Sequence, residues 1–293
     1  MFATGAHPAG KTKIVSKTAA STESIVEIAP QTSRAGVNWD ELWTHRDLLY
    51  FLVWRDLKVR YKQTFLGIAW VVLQPLLMTM VFTVVLGNIV KVPSGGIPYA
   101  VFVYSGLTLW VFFSGAISVT GNCLVMNAHL ITKIYFPRIV IPLATIIARL
   151  VDLAVAFVIL LLLVAYYRIP FRLELVLTLP LILLLTGFAL GFGLCMSAIN
   201  VRYRDVGVAL PVLIQLWLFA SPIVYPVTQV PEKFRLWYSM NPMVGIVENF
   251  RAVMFGTRPN SFSLLVSVVF TMILLIYGAY LFRTREKNIA DLI

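Results

Sequence analysis

Arg149 and Asp152 stand three residues apart inside a long apolar run, so a helix there puts a guanidinium and a carboxylate on one face. An ionisable side chain at the centre of a bilayer costs about 2.5 to 3.5 kcal/mol on insertion scales, so the pair is expected to face protein or water. Two roles fit it: locking helices together, or lining a transport path. A single pair is too little for a proton or sodium relay, which argues against a secondary transporter. Upstream, Arg55, Lys58, Arg60, Tyr61 and Lys62 crowd the stretch before the first long apolar block, where the cations would meet lipid phosphates. Trp70, Trp110, Phe112, Phe113, Trp217 and Phe219 could stack on sugar rings in a channel, although aromatics also anchor ordinary spans at interfaces.

Other chemistry is weaker. Gly5, Gly10, Lys11 and Thr12 satisfy the phosphate-loop pattern, but only four residues precede Gly5 and no parallel sheet is expected to feed the loop, so we read a chance match. His7, His45 and His129 lie outside the apolar blocks, and no Cys/His cluster has metal-ligand spacing. Neither a catalytic constellation nor a metal site is expected. Cys123 and Cys195 each sit near the end of an apolar block and imply no disulfide framework.

The elements that must position these residues follow from composition. Of 293 residues, 59% are hydrophobic and 13% charged, more apolar surface than a soluble core of this length could bury. The net charge of +11 is spread between apolar blocks rather than gathered on one face, so it reads as topology signal, and no nucleic-acid partner is expected. A hydrocarbon core about 30 Å thick needs about 20 apolar residues of helix. That window finds six blocks: 66–90, 99–121, 139–167, 175–199, 206–225 and 262–282. They lack the alternation of barrel strands, so the expected fold is all-α. Pro75, Pro180 and Pro211 are expected to kink their helices. With the N-terminus inside, sixteen Lys and Arg fall on inner segments and seven on outer ones, which predicts both termini in the cytoplasm. No signal peptide is visible, since residues 1–30 are polar and the run 48–54 is short.

Four segments are more than connectors. Residues 1–38 show no sustained periodicity and read as a cytoplasmic tail. From Trp39 to Thr64, apolar residues recur at roughly helical spacing, which predicts an amphipathic helix on the inner leaflet. In Asn127 to Arg138, Leu130, Ile131, Ile134 and Tyr135 form an apolar side of a short inner helix suited to docking a soluble partner. Between spans five and six, 243–255 mixes apolar residues with Glu248, Asn249 and Arg251, as a re-entrant helix dipping into the outer leaflet would. Gly187 and Gly191 form a G-x-x-x-G face, read as helix packing rather than a dimer contact.

The run Trp54-Arg55-Asp56-Leu57-Lys58-Val59-Arg60-Tyr61-Lys62-Gln63-Thr64-Phe65-Leu66-Gly67-Ile68-Ala69-Trp70, followed by Gln74-Pro75, resembles the opening of permease subunits of bacterial ABC polysaccharide exporters (ABC-2 type). Thr64 departs from the usual Ser. Lys133 with Phe136-Pro137-Arg138, Asn200-Val201-Arg202-Tyr203-Arg204-Asp205, Ser221-Pro222-Ile223-Val224-Tyr225-Pro226 and Asn241-Pro242 match in the same order, over roughly 39–293. The resemblance implies a cytoplasmic-membrane permease that moves O-antigen, capsule or teichoic acid chains as a homodimer. Two separate ATP-binding subunits would hold ATP and magnesium, and the lipid-linked glycan would pass along the dimer interface. It further implies that the helix bearing Arg55, Lys58, Arg60, Tyr61 and Lys62 guards substrate entrance. Asn127, Leu130, Ile131, Lys133, Ile134, Tyr135, Phe136 and Arg138 would couple to the ATPase, and the outer segment would form a gate. Alternatives are an exporter of drugs or lipids with the same membrane fold, and a membrane enzyme of glycan or lipid assembly. The enzyme would need convergent acid-base groups, which are not found.

Overall fold

The computed structural model describes residues 43–62, 67, 69–134 and 136–292, with side chains as far as 285. The tail 1–38, with Lys11, and Tyr135 lie outside the described residues. Within them every regular element is a helix. We number α1 (Arg46–Lys62), α2 (Ala69–Phe82, continued by a π-helix at Thr83–Ile89), α3 (Tyr99–Met126), α4 (Ala128–Lys133), α5 (Val140–Tyr166) and α6 (Thr178–Asn200, preceded by a 3-10 turn at Leu173–Leu177). Then follow α7 (Asp205–Phe219), α8 (Glu232–Ser239), α9 (Pro242–Phe255) and α10 (Ser261–Leu292).

Five helical stretches are long and apolar enough to cross a membrane: Ala69–Ile89, Tyr99–Met126, Val140–Tyr166, Leu173–Asn200 and Ser261–Arg285. Each closes its backbone hydrogen bonds within itself, as lipid requires. These correspond to five of the six predicted blocks. The block expected over 206–225 differs, because α7 stops at Phe219 after 15 residues. At about 1.5 Å per residue it is roughly 22 Å long, short of the hydrocarbon thickness. The reason is local. Pro222 carries no N–H to continue the ladder, and the Ile223 amide turns back to the Ser221 carbonyl at 2.8 Å. Pro75 and Pro211 do lie inside α2 and α7. Pro180 does not kink its helix; it sits in the first turn of α6, where a missing N–H costs nothing.

Helix α3 is the axis of the bundle. It packs on α5 and α6, its span is 78% buried, and its Val101 to Phe113 stretch supplies much of the main core. The expected G-x-x-x-G contact is made within the chain. A Cβ on Gly191 would lie 2.9 Å from the Leu274 and Leu275 backbone of α10, and one on Gly278 would lie 2.5 Å from the Gly191 carbonyl. Such closeness raises dispersion contact between helices that gain nothing hydrophobic from leaving lipid. A second cluster joins Leu52 of α1 to Leu124, Ile131, Phe136, Val140, Ile141 and Phe282.

The 226–261 segment is helical where expected. Asn241 caps α9 by accepting the Met243 amide at 3.1 Å, with Pro242 at the first position, and Gly256 ends it at φ 69°. Instead of presenting an amphipathic face, α9 is buried on nearly every side against α3, α6 and α10. Cys123 and Cys195 are both buried and free.

Candidate functional site

Two helices that begin far apart in sequence converge on Asp152. Along α1, Leu52 packs beside Val140 and Ile141 at the start of α5, while Arg60 and Tyr61, two turns further on, reach Asp152. The carboxylate accepts from the Arg60 guanidinium, from the Tyr61 hydroxyl, and at 3.3 Å from Arg149 Nη1. Side-chain exposure is 11% for Asp152, 25% for Arg60 and 23% for Arg149. Burial pushes the Tyr61 phenol up to about 12, and the Asp152 hydrogen bond and charge add to this, so it remains a donor. Gly115 on α3 leaves the room Arg149 occupies, since a Cβ there would lie 3.1 Å from Nη1. The Arg149 Nε is buried with no partner.

Beside this cluster lies a cavity of about 180 Å³. Arg60, Tyr61, Arg149 and Asp152 line it together with Trp70 and Gln74 of α2 and Thr108, Val111 and Phe112 of α3. The lining thus combines charged, aromatic, amide and hydroxyl groups with apolar side chains. Such a surface can hold an anionic group next to a planar sugar face.

The helix expected to meet lipid phosphates with five residues divides them. Lys58 and Lys62 are exposed, whereas Arg60 and Tyr61 turn to Asp152. Arg55 donates to its neighbour Asp56 at 2.9 Å and to Asn127 Oδ1 at 2.8 Å. The outward side also carries Trp43, Tyr50, Phe51 and Trp54, so α1 is not apolar on one face alone. Polar-tipped rings there suit the headgroup region of a bilayer.

The proposed coupling segment folds as α4 and is tied to α1. Asn127 accepts from Arg55 and donates to the Cys123 carbonyl at 2.8 Å. The expectation that Leu130, Ile131 and Ile134 present a common docking face needs correction. Ile131 and Phe136 are buried in the cluster around Leu52, and Leu130 packs against it, because the second cluster needs apolar cover under α1. Exposed instead are Val125, Met126, His129, Thr132, Lys133 and Ile134, with Arg138 half-buried.

The aromatic candidates also separate. Trp70 and Phe112 line the cavity. Trp110 and Phe113 are core residues instead: Phe113 stacks on Phe188 at 5.0 Å, meets the Trp217 edge at 5.3 Å, and lies 5.7 Å from Trp110. Trp217 also donates to Asn241 Oδ1 at 3.1 Å, and Phe219 is exposed at the end of α7. Sequence could not divide them, because a ring packed on a ring and a ring lining a channel have the same spacing along one helix.

Arg251, which packs on the first turns of α3, was read from the sequence as one of the polar residues of a helix dipping into the outer leaflet. In the structure it is buried, donating to Ser105 Oγ and to the carbonyls of Phe102, Pro222 and Ile223, with its guanidinium 3.7 Å over the Phe102 ring. The signal was present: an arginine inside the apolar run 242–255 obeys the same cost argument as Arg149. Two of its carbonyl partners, Pro222 and Ile223, are available because Pro222 breaks the helix. At the opposite end of α3, Asn200 donates to the Gly121 carbonyl and Asn122 Oδ1 and accepts the Gly207 amide, fastening the Asn200 to Asp205 turn.

A bundle of lipid-length helices with a partly charged cavity between α1, α2, α3 and α5 defines a multi-pass membrane protein. The profile of the ABC-2 type transporter family matches residues 47–255, and the chain belongs to that family. The O-antigen export system permease protein RfbA of Myxococcus xanthus is 29% identical over 255 residues, covering 86% of this chain and 97% of the relative. A protein of the same name from Klebsiella pneumoniae is 28% identical over 249 residues, covering 84% and 95%. The polysialic acid transport protein KpsM of Escherichia coli is 31% identical over 242 residues, covering 80% and 91%. The likeness to export permeases drawn from the sequence motifs is thereby confirmed.

Proposed function

We propose that this chain is the membrane permease of an ATP-driven exporter that carries a polysaccharide or lipid-linked glycan across the bacterial cytoplasmic membrane. The observation that carries this is the extent of the likeness: relatives named for O-antigen export and polysialic acid transport align over at least 80% of the chain. In this reading two copies pair, two ATP-binding subunits supply ATP and magnesium, and both termini face the cytoplasm. Helix α7 completes a sixth crossing, with 226–261 as a re-entrant outer gate. Lys58 and Lys62 meet lipid phosphates, while the cavity at Asp152 receives the head of the substrate.

The coupling role goes to Asn127 through Arg138, acting on α1 through Arg55 and Asn127. Its docking face is the exposed set Met126, His129, Lys133 and Ile134. Burying an apolar side chain in a partner groove stabilises docking by about 1.5 to 3 kcal/mol. Ile134→Asp is therefore expected to release the ATPase on co-purification while leaving the permease in the membrane; unchanged association would remove this face from the mechanism. The reading as a whole is tested by deleting the gene and measuring surface glycan. Glycan retained inside and restored to the surface by the intact chain is expected, and unaltered surface glycan overturns the reading.

A further inference from the structure

Asp152 carries three donors on one carboxylate, and two of them are guanidinium groups. Two guanidinium groups thus share a single carboxylate at a cavity wall. Arg149 is incompletely used, because its Nε is buried and finds no acceptor. Guanidinium groups prefer bidentate oxyanions, and a phosphate offers more acceptor oxygens than a carboxylate. The space beside the cluster, about 180 Å³, is lined further by Trp70, Gln74 and Phe112, and among the described residues no other charged side chain lines it.

We propose that Asp152 is a built-in stand-in for phosphate, which a phosphate-ester head group entering this cavity displaces from Arg60 and Arg149. The inference rests on the transport reading for the identity of the site and adds to it a competition. In the empty protein Asp152 ties α1 to α5; in the loaded protein the head group, held by Arg60 and Arg149, bridges the two helices in its place. Competition follows from charge: the carboxylate lowers the affinity of any anion for the same two arginines, and its removal raises it. A merely structural pair predicts the opposite, since losing Asp152 would then disorder the cavity and weaken every ligand.

The test uses the full chain with its ATP-binding subunits in neutral detergent, with farnesyl diphosphate as probe and farnesol as its phosphate-free control. Asp152→Asn is expected to tighten farnesyl diphosphate at least fivefold (a threshold set by Coulomb attraction in a partly buried site). Arg149→Gln is expected to weaken it by a similar factor, with farnesol indifferent to both. Inorganic diphosphate and a short-chain phosphatidic acid, as competing arms, tell a free anion or phospholipid head group from an isoprenoid ester. Unchanged or weaker binding by a folded Asp152→Asn protein overturns the proposal, as does absence of diphosphate binding in every form. Should Asp152→Asn not fold, Asp152→Ser gives the same reading. Should neither fold, Arg149→Gln decides: fivefold weaker binding supports the proposal and an unchanged affinity overturns it. Surface glycan that depends on the chain, with no diphosphate binding, sinks this inference and leaves the transport reading standing. The predicted affinity ranking in a chain whose deletion spares surface glycan does the reverse.

Discussion

Arg251 and Arg149 are both arginines in apolar helices, yet their surroundings differ in kind. Arg251 has no carboxylate within ion-pair distance among the described residues; its donors end on three backbone carbonyls and a hydroxyl. Gly106 is packed so tightly against it that a Cβ would lie 2.5 Å from its Nη2 and 2.7 Å from the Ile223 carbonyl. Arg149 shares one carboxylate with a second arginine and a tyrosine, leaves its Nε unpaired, and borders a cavity. One arginine completes the structure of a broken helix. The other is held in reserve beside space. A buried cation satisfied by neutral carbonyls has little to gain from an anion, whereas one that shares a carboxylate has an exchange available to it.

Four substitutions test that contrast. Leaving buried acceptors unpaired costs about 1 to 3 kcal/mol each, so Arg251→Met, which orphans the Pro222 and Ile223 carbonyls while Phe102 keeps Ser105 as a donor, is expected to lose about 2 kcal/mol or more of stability. Thermal unfolding of the purified protein reads this, and a variant that melts with its parent would show Arg251 to be dispensable. Next comes Gly106→Ala. The obstructing atoms include backbone that cannot swing away, so overpacking by about 1 to 3 kcal/mol is expected in the same assay.

Arg149→Gln should separate the two sites. Asp152 keeps Arg60 and Tyr61 as partners, so the stability loss is expected to stay near 1 kcal/mol or below, while glycan export falls severalfold. Stability lost in step with export would make Arg149 a second Arg251. The smallest effect is assigned to Gly115→Ala. Its Cβ would meet only the tip of the Arg149 side chain, 3.1 Å away, which the cavity allows to shift, so a change within about 0.5 kcal/mol is expected. A loss equal to that of Gly106→Ala would mean the cavity gives Arg149 no freedom.

Much of the fold was legible because lipid imposes a length. Five blocks about 20 residues long or more appear as helices within a few residues of their predicted bounds, and the helix over 243–255 appears as well. The sixth block was overrun because a hydropathy window counts Ile223 and Val224 as apolar without registering that Pro222 has already ended the helix. The coupling face was half legible: the spacing of Leu130, Ile131 and Ile134 predicts an apolar side, but not that α1 covers Ile131. Arg149 and Asp152 were found because a charge in an apolar run is conspicuous, and Arg251 was passed over because its neighbours Glu248 and Asn249 made it look like a polar face.

The sequence by itself determined that the chain is helical, that it lives in a membrane, and which family it resembles, since those follow from local composition and from motifs read in order. Only the tertiary structure decided that Arg60 and Tyr61 leave the basic row of α1 to meet Asp152, 92 and 91 positions away. It also decided that Trp70 and Phe112 line a cavity while Trp110 and Phe113 fill a core. The physical reason is that helix periodicity fixes which side chains share a face, whereas the partner of that face is set by packing among helices, where small residues such as Gly115 and Gly191 permit close approach.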